Sequence, residues 1–218
     1  MQAEFWHERW QKNEIAFHQA DVNAWLTQYW PALNLPLHSR VFVPLCGKSL
    51  DLRWLASQGH EVIGVELSEM ACRAFFDEAG LDYTETDDIR FKRFSAGPYQ
   101  LLCGDFFALT TTDLSDVVAV YDRASLVALP PEMRRDYARC LIQRLPQHTS
   151  MLLLTFDYDQ TKMPGPPHAV SIAEVHELYD VAFTVDVLLE TPDTEPPPPF
   201  KARGLTWLRE AVMKLTRG

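Results

Sequence analysis

From residue 40 onward, short apolar blocks alternate with stretches of helical period, and that alternation predicts an α/β sheet. Val41-Phe42-Val43 and Val62-Ile63-Gly64-Val65 read as buried strands of the parallel type. Between them, Leu50 to Ser57 reads as a helix capped near Ser49 or Asp51 and ended by Gly59. Ser68 caps a further helix that runs to Asp77 or Glu78 before Gly80. Strand, helix, strand, helix in close succession predicts a right-handed parallel unit. Residues 89 to 103 read as a hairpin, Ile89 to Phe94 and Tyr99 to Cys103 around Ala96-Gly97-Pro98, with the second arm as the third parallel strand. Val117 to Tyr121 is the fourth strand, Pro131 to Leu145 a helix, Met151 to Phe156 the fifth strand and Ser171 to Tyr179 a helix. In the tail, Phe183 to Leu189 alternates like a strand and the PPPP run at 196 to 199 reads as a rigid extended loop. Leu205 to Leu215 suits strand or helix, and a terminal antiparallel hairpin at the sheet edge is the preferred reading.

The N-terminal 37 residues have a different pattern. Phe5, Trp6 and Trp10 recur at near-helical spacing. Asp21 is placed to cap a second helix with Val22, Trp25, Leu26 and Tyr29 on its apolar side, and Pro31 and Pro36 close the segment. So many large rings suit two roles, a helix pair glued to the core or a lid over a ligand. The whole chain, 1 to 218, thus reads as one α/β domain with a central, mostly parallel sheet and a helical cap over residues 1 to 37.

Composition narrows the functions open to such a fold. A hydrophobic fraction of 47% and a charged fraction of 23% are ordinary for a globular chain. The net charge of -10 argues against nucleic acid or an anionic membrane as partner. No run approaches the length of a membrane span, and MQAEFWHERW lacks the apolar core of a signal peptide. Cys46, Cys72, Cys103 and Cys140 are widely spaced in apolar settings, without CxxC or zinc spacing, so free thiols in a cytoplasmic protein and no metal are expected.

The chemistry concentrates after the first two strands. Gly47-Lys48-Ser49 imitates the end of a phosphate-binding P-loop, but Phe42 stands where its first glycine belongs and Pro44 removes a backbone N–H from the nest. What remains is a loop, Pro44 to Gly47, whose backbone faces a ligand, and Glu66 at the end of strand two. Such an acid can accept both hydroxyls of an adenosine ribose, or simply cap the helix starting near Ser68. A single glycine serves a pyrophosphate poorly, which disfavours a nicotinamide dinucleotide and favours S-adenosylmethionine, a cofactor without phosphate. Gly104-Asp105-Phe106-Phe107 offers a tight turn, a carboxylate and rings for adenine, or only a turn in which Asp105 caps its own backbone. Arg123, after strand four, either pairs with Asp122 or meets the cofactor's carboxylate. Arg203, beside the PPPP run, is a second candidate to position an acceptor, or a solvated surface arginine.

Five segments carry a resemblance: FWHERWQKNEIAFHQADVNAWL (5–26), FVPLCGKSLDLRWLASQGHEVIGVELSEMA (42–71), CGDFFAL (103–109), VYDRASLVALPPEMRRDYA (120–138) and HAVSIAEVHELY (168–179). With them the chain closely resembles the bacterial thiopurine S-methyltransferase family of S-adenosylmethionine-dependent enzymes. The resemblance implies the class I methyltransferase (Rossmann-like) fold, a seven-stranded, mostly parallel sheet with one antiparallel strand, and resolves the tail as strand. It implies Trp10, Leu45, Glu66 and Arg123 as cofactor contacts and Phe106 at the adenine border. The implied reaction is in-line transfer of a methyl group to the sulfur of a thiopurine or related small aromatic thiol, leaving S-adenosylhomocysteine. Bacterial members are also associated with methylated selenium and tellurium species and with metalloid resistance, so a metalloid acceptor is an alternative. A module that binds the cofactor without turnover is another. A monomer is expected.

Overall fold

The computed structural model describes residues 3–218; the first two positions of the expected cap and domain lie outside the described residues. In chain order, α1 (Ala3–Gln11) and α2 (Ala24–Tyr29) precede β1 (Arg40–Val43), α3 (Leu50–Ser57), β2 (Glu61–Glu66), α4 (Glu69–Asp77), β3 (Thr84–Asp87), β4 (Lys92–Ala96) and β5 (Tyr99–Cys103). Then come β6 (Val117–Arg123), α5 (Pro131–Arg144), β7 (Ser150–Asp157), α6 (Ile172–Tyr179), β8 (Phe183–Glu190), the short α7 (Pro198–Lys201) and β9 (Arg209–Arg217).

These strands form one sheet in the order β3-β4-β5-β2-β1-β6-β7-β9-β8. β1 pairs in parallel with both β2 and β6. The chain therefore winds outward from β1 to one side, through β2 and β5, and then resumes on the other side at β6. That reversal opens a crevice at the C-terminal ends of β1 and β6, where open α/β sheets bind their ligands. The run from β5 to β8 is the expected seven-stranded core, and β9, antiparallel to both β7 and β8, is its one reversed strand.

Burial on both faces explains the continuous apolar strands. Val41 and Val43 pack with Leu26, Leu52, Leu55 and Phe75 on the face carrying α2, α3 and α4. Phe42, between them, points to the opposite face, among Val120 of β6 and Tyr137, Leu141 and Val175 of the α5 and α6 layer. The helices begin where small polar residues can take their orphan N–H groups: Ser49 accepts from Asp51 N, Ser68 from Ala71 N and Ser171 from Glu174 N. The second N-terminal helix departs from expectation, since Asn23 caps it by accepting from Trp25 N and Leu26 N, while Asp21 is exposed.

Two other readings need correction. The hairpin before β5 starts later than its apolar residues suggest, at Lys92, and Ile89 is wholly exposed in the turn that precedes it. Beyond β4 the sheet gains β3, a strand of sequence TETD exposed along its whole length. It has no alternation to read; besides its backbone pairing with β4, its side-chain ties are ionic, Glu85 to Arg73 and Lys92. The proline run is not extended throughout either. Pro198 and Pro199 form the first turn of α7, where a missing N–H costs nothing.

Asp113 locks the loop before β6 to the hairpin. Its side chain is buried, accepts from Arg90 Nη1 at 2.5 Å and takes both the N–H and the hydroxyl of Thr110, at 2.8 and 2.7 Å. Burial alone would raise its carboxyl, but the Arg90 and Thr110 hydrogen bonds prevail and hold it well below the usual carboxylate range. Asp113→Ala is expected to lower stability by about 2 kcal/mol. Because the folded carboxyl titrates below the unfolded one, the difference from wild type is full above about pH 4 and shrinks as pH falls further. Urea unfolding of both proteins at pH 7 and pH 3 measures it, and an equal difference at both would refute the carboxylate's role.

Candidate functional site

The loop after β1 is built against unusual constraints. Leu45 has φ 45° and Gly47 has φ 53°, so the chain turns twice through the left-handed region within three residues. Glycine tolerates this, whereas a leucine there carries backbone strain of about 1 kcal/mol. Three ties hold the turn. Ser125 Oγ donates to Pro44 O at 2.7 Å, Cys46 N to Val65 O at 3.0 Å and Gly47 N to Glu66 Oε2 at 2.8 Å. A Cβ at Gly47 would stand 3.2 Å from Cζ2 of Trp10, so the indole of α1 lies directly on this loop.

Glu66 closes β2 almost without exposure. Its second oxygen, Oε1, accepts from Ser68 N at 2.8 Å, so the carboxylate bridges the β1 loop and the start of α4. Burial raises its pKa, opposed by the hydrogen bonds from Ser68, Gly47 and Leu67. The helix-capping role leaves each carboxylate oxygen a second lone pair.

The four other sequence-derived candidates fare differently. Arg123 does not pair with Asp122, because neighbours in a strand face opposite ways. Asp122 turns toward α5, where it accepts from Tyr137 OH at 2.7 Å and Leu126 N at 3.2 Å, and burial pushes its carboxyl up to about 6. Arg123 turns toward α3 and the cap. Its Nε donates to Asp51 Oδ2 at 2.8 Å, Nη2 to Ser49 Oγ at 3.1 Å and Nη1 to Phe17 O at 3.5 Å. Asp105 is exposed and caps Phe107 N at 2.9 Å. Phe106 is a core residue, stacked on Tyr137 at 4.7 Å and on Phe42 at 6.5 Å, leaving the half-buried Phe107 as the ring beside it. Arg203 is exposed and reaches Pro166 O at 3.4 Å.

Asp51 is the residue that sequence reasoning undervalued. It is 1% exposed and binds the site to the cap: besides Arg123, it accepts from Tyr121 OH at 3.0 Å and Asn23 N at 2.9 Å. The signal was present, because Asp51 lies on the buried stripe of α3 with Leu52 and Leu55. A carboxylate on an apolar helix face demands a partner. Ala124, with φ 65°, is a second such residue, a non-glycine turn where β6 ends.

The GKS tripeptide does no phosphate work here. Lys48 Nζ bonds Glu78 at 2.5 Å and Ser49 caps α3 while receiving Arg123. The centre therefore consists of a backbone loop, an acid with no cation paired to it among the described residues, and an indole overhead. That set suits an adenosine and a zwitterionic amino-acid end rather than a polyphosphate. Among the described residues, no three side chains of His, Cys, Asp or Glu are grouped to hold a metal, and no helix is long and apolar enough to cross a membrane.

Comparison with known proteins agrees with this geometry. The model of the family described as Thiopurine S-methyltransferase (TPMT) matches residues 1–218. A thiopurine S-methyltransferase of Xanthomonas axonopodis pv. citri is 48% identical over 217 residues, covering 100% of both chains. One from Azotobacter vinelandii is 49% identical over 218 residues, again with 100% of each covered. Among solved structures, the Burkholderia thailandensis 1,6-didemethyltoxoflavin-N1-methyltransferase with bound S-adenosylhomocysteine superposes with a TM-score of 0.66 at 15% identity, over 99% of this chain and 86% of that one. A methyltransferase from Anabaena variabilis gives a TM-score of 0.66 at 13% identity, over 99% and 95%. Both share the fold of this chain, the class I methyltransferase sheet.

Proposed function

The chain belongs to the thiopurine S-methyltransferase family, and we propose that it methylates the sulfur of thiopurines or closely related small aromatic thiols with S-adenosylmethionine. The observation that carries this reading is Glu66, a buried carboxylate at the end of β2 whose only charge-stabilising partners described are backbone N–H groups, beside a one-glycine loop. Bound there, S-adenosylmethionine supplies a methyl group on a positively charged sulfur, which a thiolate acceptor takes by displacement.

The chain's own residues bind and align. Glu66 accepts the two ribose hydroxyls through its remaining lone pairs. Leu45 and Gly47 bring the backbone close to the methionine part, and Trp10 covers it. Arg123 serves the amino-acid carboxylate by giving up its longest bond, the one to Phe17 O at 3.5 Å, while Asp51 keeps its Nε side fixed. Phe107, next to Asp105 and Phe106, borders the adenine. A heteroaromatic thiol is already partly ionised at neutral pH, so no strong general base is required, and alignment in a dry pocket supplies most of the rate. A strong anion clamp would slow a step in which charge is lost, which suits an arginine such as the exposed Arg203 to a positioning role at the rim.

We place the cap within a single domain with the sheet, because Asn23 and Phe17 bond directly to Asp51 and Arg123. A monomer is supported by the scatter of exposed apolar residues such as Leu37, Ile89 and Val181 over different elements. The four free thiols suit a reducing, cytoplasmic setting.

The test is transfer of a radiolabelled methyl group to 6-mercaptopurine, simple alkyl thiols, selenite and tellurite. The aromatic thiol should give the highest kcat/KM, with stoichiometric S-adenosylhomocysteine. A clear preference for either oxyanion would replace the acceptor assignment, and no product with any acceptor would remove the enzymatic reading.

A further inference from the structure

The crevice opens where β1 and β6 cease to pair. Their parallel register runs to Phe42 and Val120, and from Tyr121 to Arg123 β6 is registered with β7. Beyond that point the chain after β1 is tied on two sides. Toward β2, Cys46 N donates to Val65 O at 3.0 Å and Gly47 N to Glu66 Oε2 at 2.8 Å. Toward β6, Ser125 Oγ donates to Pro44 O at 2.7 Å. Leu45 lies between the two anchor points, and it is the residue held in the left-handed region at φ 45°.

The sequence around Ser125 frees its hydroxyl for this bond. Ser125 stands at the N-terminus of the short 3-10 turn Leu126–Ala128, where a serine ordinarily accepts from the N–H groups that follow it. Its side chain makes no such cap. Asp122 Oδ1 takes Leu126 N instead, at 3.2 Å. Ala124, at φ 65°, turns the chain sharply just before the serine. A fully buried hydroxyl demands a partner, and here it is spent across the opening of the crevice rather than on its own turn.

We propose that Ser125 is a positioning residue for methyl transfer: its hydroxyl fixes the β6 side of the Pro44 to Gly47 loop and thereby the line along which the methyl group meets the acceptor. The inference rests on the proposed function, which puts the methionine part of S-adenosylmethionine on Leu45 and Gly47 and its carboxylate on Arg123. The acceptor thiolate bonds to the methyl carbon as the carbon–sulfonium bond breaks and its electron pair stays on the departing sulfur. Ser125 neither gives nor takes a proton in that step.

Removing the hydroxyl leaves the two bonds to β2 in place but frees Pro44. Leu45 then relaxes from its strained turn, and the backbone beneath the methionine part shifts. Glu66 and its ribose contacts stand on the β2 side and keep their partners. Binding is therefore largely kept while alignment is lost, the reverse of the outcome when a ribose contact is removed.

The experiment compares wild type, Ser125→Ala and Ser171→Ala by single-turnover methyl transfer to 6-mercaptopurine, calorimetric binding of S-adenosylhomocysteine, urea unfolding and amide hydrogen exchange of the ligand-free protein. Ser171→Ala is the stability control, since it removes a serine bond to the backbone at the start of α6. Ser125→Ala is expected to slow transfer about thirtyfold, within the hundredfold that a misplacement of about 1 Å can cost, and to weaken binding less than about threefold. Exchange should quicken at Cys46 and Gly47 but not at Val62 to Val65. Ser171→Ala should lower the urea midpoint and leave transfer, binding and these amides unchanged. Should the alanine variant not fold, Ser125→Cys, close in size but a much weaker donor, carries the same test: slower transfer with affinity kept. Wild-type transfer, an affinity loss as large as the rate loss, an equal rate loss in Ser171→Ala, or unchanged exchange at Cys46 and Gly47 overturns the proposal. A wild-type protein that transfers nothing to any acceptor overturns the enzymatic reading, and the role of Ser125 with it, while exchange at Cys46 and Gly47 shows separately whether the tie holds the loop.

Discussion

Glu66→Ala is expected to raise the dissociation constant of S-adenosylhomocysteine about a hundredfold, with a far smaller change in the methyl-transfer rate at saturating cofactor. Two ribose hydroxyls donating to a buried carboxylate contribute about 1.5 kcal/mol each, and about 3 kcal/mol corresponds to that factor. The ribose does not react, so its contacts are equally strong before and during transfer and enter binding rather than the rate. Loss of the carboxylate also strips Gly47 N and Ser68 N of their acceptor, which loosens the loop under Trp10.

The pH dependence separates a carboxylate effect from a loss of packing. Burial raises the pKa of Glu66 in the ligand-free protein, so its ionised form weakens the fold, and stability from this group is greatest below its unfolded pKa and is lost as pH rises through the folded one. Ribose hydroxyls favour the ionised form and draw the pKa down. Cofactor affinity should therefore fall as pH drops through the raised pKa of Glu66, with a proton released on binding. Glu66→Gln should bind weakly and lack that pH dependence. Calorimetry in two buffers of different ionisation enthalpy measures the proton directly. Wild-type affinity in Glu66→Ala would end the ribose assignment.

Legibility of the fold followed the physics of burial. α3, α4 and the parallel strands emerged almost to the residue because each has an apolar stripe or block and a serine where its first N–H groups need an acceptor. β3 left no trace, since a strand held by Arg73 and Lys92 against Glu85 has no buried side and hence no period. At the site, Glu66 and the Leu45 to Gly47 loop were legible because strand end, turn and acid are sequence-local. For Arg123, one of the two alternatives, a pair with Asp122, does not occur. Adjacent Asp122 is near in sequence but on the opposite face, and Asp51, 72 positions away, is its partner only because β1 and β6 are neighbours. The residue types in Asp105-Phe106-Phe107 do not by themselves tell which ring of the Phe-Phe pair enters the core.

Asp51→Ala is expected to have the largest effect on stability, a loss of about 3–5 kcal/mol, because it leaves a mostly buried guanidinium without its carboxylate. The side chains of Asp51 and Arg123 are 1% and 13% exposed. The tyrosine hydroxyl of residue 121 and the N–H of Asn23 lose their acceptor in the same substitution. If the loss arises from the stranded charge, removing Arg123 as well should restore part of it. Arg123→Met in the Asp51→Ala background should then be less harmful than Arg123→Met in the wild type, a coupling of about 2 kcal/mol in a double-mutant cycle. The same network joins cap to sheet, so the single variant should also become sensitive to protease between Lys12 and Asn23 at denaturant concentrations where the wild type is resistant. Urea unfolding and limited proteolysis separate the two consequences. Additive losses would show that Asp51 acts by capping and packing alone, and unchanged proteolysis would show that the cap is held by its aromatic contacts, Trp6 and Trp10 on Phe17, rather than by this ion pair.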